Sequence, residues 1–183
     1  MKATDILMDE HRVIERVLAV LETAAQRLEQ GQAVRPGFFV EAADFIQGFA
    51  DGCHHRKEEG VLFKAMVNAG MPSDNGPIGV MLSEHEMGRA YTRSMREAAL
   101  KLGAGDSRGR GAVIFSAHSY VELLRQHIAK ENTVLFPLAG RVIPIAEQGA
   151  VVEAFEHVEH EETGAGVHEK YLALAEKLEK EMA

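Results

Sequence analysis

The sequence predicts an all-α protein: an up-down-up-down four-helix bundle with additional C-terminal helical segments packed on it. Three observations carry that expectation. Apolar residues recur at three- and four-residue spacing along most of the 183 residues, and no alternating strand pattern interrupts them. Turn-forming glycine, proline, asparagine and aspartate gather at a few places. The stretches between them are long and the loops short, which makes consecutive helices antiparallel neighbours.

The first helix runs from about Thr4 to Gln30, with Thr4 or Asp5 as N-cap and Gly31 as the stop signal. Pro36 suits the first turn of a second helix, which extends to about Ala69. Gly70-Met-Pro-Ser-Asp-Asn-Gly-Pro77 is dense in turn formers and reads as a loop. The third helix spans roughly Ile78 to Leu102, and Gly103-Ala-Gly-Asp-Ser-Arg-Gly-Arg-Gly111 is the next loop. The fourth spans roughly Ala112 to Ala139, with Pro137 expected to fray its end. From about Pro144 the chain is again helical, broken at Gly164-Ala-Gly166. We therefore expect residues 1–140 to form the bundle. Residues 141–183 would be a helical extension of the same globule, packed on its outside or across one end.

Composition narrows the function classes. Hydrophobic residues at 46% and charged residues at 26% describe an ordinary globule with a real core. No apolar run is long enough to span a bilayer, and the N-terminal residues lack an apolar signal core. The single cysteine, Cys53, excludes an internal disulfide framework and fits a reducing, cytoplasmic setting. A net charge of -8 without a Lys/Arg cluster argues against nucleic-acid binding. The nine histidines exceed what a core of this size needs.

One stretch is written twice. His54-His-Arg-Lys-Glu58-Glu-Gly-Val-Leu-Phe63 and His127-Ile-Ala-Lys-Glu131-Asn-Thr-Val-Leu-Phe136 share a His, a Glu four residues on, then Val-Leu-Phe. Residues four apart share a helix face, so each His and Glu can approach the same metal ion. His11 has Leu7, Ile14 and Leu18 on its face, and His85 has Met81, Gly88, Thr92 and Met95. Each helix thus turns one His inward, and Glu58 and Glu131 share the face of their partners. A single inward His is ordinarily a satisfied core residue, and one His-x-x-x-Glu pair can be a surface hydrogen bond. Two inward carboxylates are different, because a buried charge without a partner is very costly. Lys57 and Lys130 have stems long enough to reach solvent. A pair of cations held by His11, His54, Glu58, His85, His127 and Glu131 would satisfy every one of these groups. Imidazole and carboxylate without thiolate suit iron, manganese or zinc.

These residues resemble the hemerythrin-like family, the HHE cation-binding domain, over about the first 140 residues. The resemblance implies a four-helix bundle around two iron ions, oxo- or hydroxo-bridged, with zinc or manganese as substitutes. His11 and His54 would bind one iron, His85 and His127 the other, and Glu58 and Glu131 would bridge them. The resemblance also has a departure. Oxygen-carrying members have His-x-x-x-His on the third helix, whereas the residue four after His85 is Arg89, and the second carboxylate is Glu131 rather than the shorter Asp. With four imidazoles each metal would have an open position, which favours reaction over simple carriage. His55 and Glu59 repeat the His-x-x-x-Glu spacing one residue out of phase and read as outer partners or surface residues. His160 or His168 of the extension could fold over and add a ligand. Tyr120 shares the face of His127, as a core residue or as a wall of the site.

The resulting expectation is a di-iron protein that binds or reacts with dioxygen, peroxide or nitric oxide, with catalase-like peroxide chemistry or nitric oxide chemistry as its enzymatic form. The alternative is an oxygen or iron sensor, or an iron-binding module without turnover.

Overall fold

The computed structural model describes residues 2–183, apart from the side chain of Glu162. Six helices and no strand occur among the described residues. Helix α1 spans Ala3–Glu29. Helix α2 is a continuous rod, α-helical over Pro36–Phe45 and Phe63–Asn68 and π-helical over Ile46–His55 and Glu58–Leu62. Helix α3 spans Gly76–Gly103. Helix α4 comprises Gly109–Lys130, a π-helical turn at Glu131–Leu135, and Phe136–Val142. Helices α5 (Ile145–His157, prolonged in π form over Val158–Gly164) and α6 (Val167–Met182) complete the chain.

Helices α1 to α4 form the bundle. In α1 the buried positions include Leu7, His11, Ile14, Leu18, Leu21, Ala25 and Leu28, an alternation of three and four residues. In α3 the same alternation runs through Ile78, Met81, His85, Gly88, Thr92, Met95 and Ala99. That pattern gives each helix one inward seam, the requirement for knobs-into-holes packing. His11 and His85 occupy seam positions that apolar residues hold elsewhere.

The helix ends follow local chemistry. At Gly31 (φ 84°) the chain turns left-handed, the Gly31 N–H donates to Leu28 O at 3.1 Å and the Gln32 N–H to Arg27 O at 2.9 Å. Gly70 (φ 100°) closes α2 through the same pair of bonds, to Val67 O and Met66 O. Both satisfy carbonyls that the helix end leaves over, in a conformation glycine adopts without steric cost. Pro137 does not fray α4. It follows the π-helical turn, where the Phe136 N–H reaches back to Glu131 O, and the helix continues to Val142. A widened turn moves away the carbonyl that a proline ring otherwise strikes.

The interior is two apolar clusters with a polar layer between them. One cluster contains Ile14, Leu18, Leu21, Phe38, Phe45, Phe49, Met95, Val121 and Leu124. The other contains Leu7, Leu62, Phe63, Met66, Ile78, Met81, Leu135 and Phe136. His11 stands between Leu7 of one and Ile14 of the other.

Helix α5 contributes Val151 and Phe155 to the second cluster. Helix α6 lies against α1 and α2, burying Ala175, Leu178 and Met182. Tyr171 packs against Gly48, where a β-carbon would stand 1.8 Å from the ring. Ion pairs Arg16–Glu179 and Arg35–Glu181 line its edge. These exposed pairs add little stability, so the docking rests on the apolar seam. No described helix is long and apolar enough to cross a membrane. Truncating the fully buried Leu178 to alanine should cost about 2–5 kcal/mol. Urea denaturation of Leu178→Ala beside the parent protein measures it.

Candidate metal centre

The polar layer gathers all six side chains expected from the sequence. His11, His54, Glu58, His85, His127 and Glu131 are each at most 2% exposed. Their metal-ligating atoms fall into two overlapping groups. His11, His54, Glu58 and Glu131 form one, and His55, Glu58, His85 and His127 the other, with the atoms of each group within 4.8 Å of one another.

The carboxylates lie between the two groups. Glu131 places Oε2 3.1 Å from His11 Nε2 and Oε1 3.0 Å from His127 Nε2. Glu58 places Oε1 3.5 Å from His54 Nε2 and Oε2 3.5 Å from His85 Nε2. Each carboxylate therefore faces an imidazole of both groups.

His55 is the residue that the sequence reading misplaced. It is buried, stacks on His85 with ring centroids 3.8 Å apart, and presents Nε2 to the centre. Ordinary α-helical spacing turns His55 about 100° from His54, onto another face. The π-helical stretch Ile46–His55 widens the turn, so the adjacent histidines straddle the inward side of α2. The centre thus has five imidazoles, and the histidine absent four residues after His85 is made good from α2. The two sides are unequal, three imidazoles against two. The doubled His-x-x-x-Glu of His54-Glu58 and His55-Glu59 was the available signal.

The Nδ1 atoms fix the orientation of each ring. His54 donates to Glu10 at 2.9 Å, His55 to Asp51 at 2.9 Å, His85 to Glu59 at 2.7 Å and His127 to Glu84 at 2.9 Å. His11 donates to the Asn132 side-chain oxygen at 2.9 Å. An oxygen acceptor at Nδ1 requires a proton there and leaves Nε2 as the nitrogen that faces the centre. The phenylalanines of the repeat have matching tasks. Phe136 stacks on His11 and Phe63 on His85, tilted by 13° and 14°.

Lysines complete this outer ring. Lys57 donates to Glu10 at 2.5 Å and to Glu159 of α5 at 2.8 Å, and it is wholly buried rather than reaching solvent as expected. Lys130 pairs with Glu84 and is 40% exposed. Arg89 pairs with Glu59 and Glu86 and lies 3.5 Å from Asp51. A third group, Glu10, Cys53, Glu159 and His168, surrounds the Lys57 ammonium, which supplies its positive charge. Burial pushes the Cys53 thiol up to about 11. His160 is exposed and His168 faces Glu159, so neither joins the five imidazoles. Tyr120 is buried with no hydrogen bond to its hydroxyl.

Electrostatics show what the centre lacks. Burial and the facing Glu131 push the Glu58 carboxyl well above the carboxylate range. Burial also opposes ionisation of Glu131, but the imidazoles of His11 and His127 outweigh it and hold Glu131 low. Burial opposes a charged His127, and Glu131 and Glu84 override it and hold His127 high. Burial drives His54 down to about 4 and His55 well below its ordinary range. Both oxygens of Glu58, and Nε2 of His54 and His55, lack a hydrogen bond, and Glu131 has only the imidazoles of His11 and His127 beside it. Buried polar atoms without partners are rare, and a divalent cation on each side would satisfy all of these. The donor set of nitrogens and oxygens fits such an ion.

Residues 2–139 match the family model for the hemerythrin HHE cation-binding domain. The chain belongs to this family. Membership marks the centre as cation-binding, and its His/Glu groups can hold a metal. Among curated proteins the HHE chain is 28% identical over 162 residues to an uncharacterised protein of Mycobacterium bovis and to two of Mycobacterium tuberculosis. The matches cover 88% of this chain and 63% of each relative, so the chain spans less than two thirds of their length. No solved structure matches it.

The metal-free HHE fold is squeezed from both sides in pH. His54 and His55 stay neutral in the fold, so acid below their ordinary 6.5 favours unfolding. Glu58 and His127 are held above their ordinary values in the fold, so their contribution is lost as pH rises above the ordinary 4.5 and 6.5. A cation competes with protons at both groups. The rise in melting temperature on adding manganese(II) should therefore be larger at about pH 8 than at about pH 6. Scanning fluorimetry at the two pH values checks this.

Proposed function

We propose that the chain is a cytoplasmic di-iron protein that binds or reacts with dioxygen, peroxide or nitric oxide. One observation carries this reading: two fully buried carboxylates, met by imidazoles and by no lysine or arginine among the described residues, stand between three imidazoles on one side and two on the other. We take His11, His54, His55, His85, His127, Glu58 and Glu131 as the ligands. Residues 1–140 are taken as the functional bundle and residues 141–183 as an extension of the same globule.

Bound iron would supply the electrons, cycling between ferrous and ferric states. The protein supplies the rest. Glu58 and Glu131 balance the cation charge, and each has one oxygen toward either side. The five Nδ1 hydrogen bonds hold the imidazoles in one tautomer. Phe63, Phe136 and the two apolar clusters keep bulk water away, which strengthens every charge interaction within the layer. The two-imidazole side has fewer donors, leaving room there for a small ligand. This inequality favours reversible binding more than four imidazoles alone would.

Protein loaded with ferrous iron should hold two irons per chain and consume peroxide. Glu58→Ala and Glu131→Ala should each lower bound iron by about half or more, because each removes oxygens shared by both sides. Elemental analysis and the rate of peroxide loss measure these. Full activity in both variants would remove the reading.

A sensor without turnover is the second reading, and one path favours it. His54 bonds Glu10, Glu10 bonds Lys57, and Lys57 bonds Glu159 on α5, linking the centre to the extension. Metal loading should then slow proteolysis within residues 141–183. Equal cleavage with and without iron would exclude this reading.

A further inference from the structure

The repeat in the sequence becomes an approximate two-fold in the structure, and the place where it breaks is informative. Glu10-His11 on α1 corresponds to Glu84-His85 on α3. The α2 set His54, Lys57, Glu58 and Glu59 corresponds to His127, Lys130, Glu131 and Asn132 on α4. The contacts correspond as well. Glu10 accepts from His54 Nδ1 and Lys57 Nζ, and Glu84 accepts from His127 Nδ1 and Lys130 Nζ. His85 Nδ1 donates to Glu59, and His11 Nδ1 donates to the residue in the matching place, Asn132.

Asn132 is the break: a neutral amide stands where the other half has a carboxylate. A carboxylate on Nδ1 makes the opposite nitrogen a stronger donor, and losing such a partner commonly costs 10–100-fold in metal affinity. All three imidazoles on the His55, His85 and His127 side have a carboxylate there, Asp51, Glu59 and Glu84. On the other side only His54 has one, Glu10. The second break points the same way, because His55 has no counterpart: Ile128 stands in its place.

We propose that the two metal positions fill in order. The His55–His85–His127 position binds first and tightly, the His11–His54 position second and exchangeably, and Asn132 is the positioning residue that sets the gap between them. This rests on the two-metal reading of the centre. Its consequence is a protein that retains one metal under depletion and gives up the other.

Calorimetric titration of the metal-free, full-length protein with manganese(II) tests it without reference to activity. The parent protein should bind two equivalents in two resolved steps. Asn132→Asp, which keeps the size and the acceptor oxygen, should tighten the second step about 10-fold and leave the first in place. Glu59→Gln should weaken the first step by a similar factor. Two indistinguishable steps in the parent protein, or Asn132→Asp acting on the first step or on neither, overturn the proposed order while the two-metal reading stands. A total below two equivalents in the parent protein removes the two-metal reading, and the order falls with it. Circular dichroism confirms that each variant folds; Asn132 is half-buried, and aspartate has its size and shape.

Discussion

Two carboxylates without exposure, facing each other across a bundle core, set the terms for everything around them. Water cannot reach Glu58 or Glu131, and among the described residues no lysine or arginine bonds either one. An uncompensated buried charge costs several kcal/mol or more. The imidazoles of His11 and His127 relieve Glu131 in part, and burial pushes the Glu58 carboxyl well above its ordinary range. This is a site whose own residues leave it short of positive charge. The apolar clusters above and below sharpen the deficit by excluding solvent, and so raise the affinity of the layer for a cation.

The outer ring shows how such a layer is held in register. Every imidazole of the centre is oriented by a side-chain oxygen, and the carboxylates that do this are in turn held by Lys57, Lys130 or Arg89. The cations stay outside the ring of ligands, where they hold Glu10, Glu59 and Glu84 low without competing for the inner carboxylates, while burial pushes Asp51 up to about 7 despite Arg89. Lys57 extends this arrangement beyond the bundle, since its second partner, Glu159, belongs to the extension. The extension is thereby tied to the centre by a charged contact and to the bundle wall by the seam of Leu178, Met182 and Tyr171.

Much of this was legible from residue spacing. The three-and-four alternation of α1 and α3 placed His11 and His85 on inward seams. The duplicated His-x-x-x-Glu with Val-Leu-Phe paired His54 with Glu58 and His127 with Glu131, and the lengths of the helices came within a few residues. His55 and Lys57 were not legible, for one reason. Both lie on α2, where π-helical turns replace the 3.6-residue period from which inward and outward faces are inferred. Spacing assigned His55 to an outer face and Lys57 to solvent, and the widened turns and the docked α5 buried both.

The chain's residue order therefore determined the helices, their antiparallel course and the inward stripe of nitrogen and oxygen donors, because these follow from local periodicity and from the cost of exposing apolar surface. Tertiary structure decided the number of imidazoles and the inequality of the two sides. Whether a carboxylate or an amide backs a given histidine depends on which residue of a different helix comes opposite it, a matter of packing over distances of up to 121 residues along the chain.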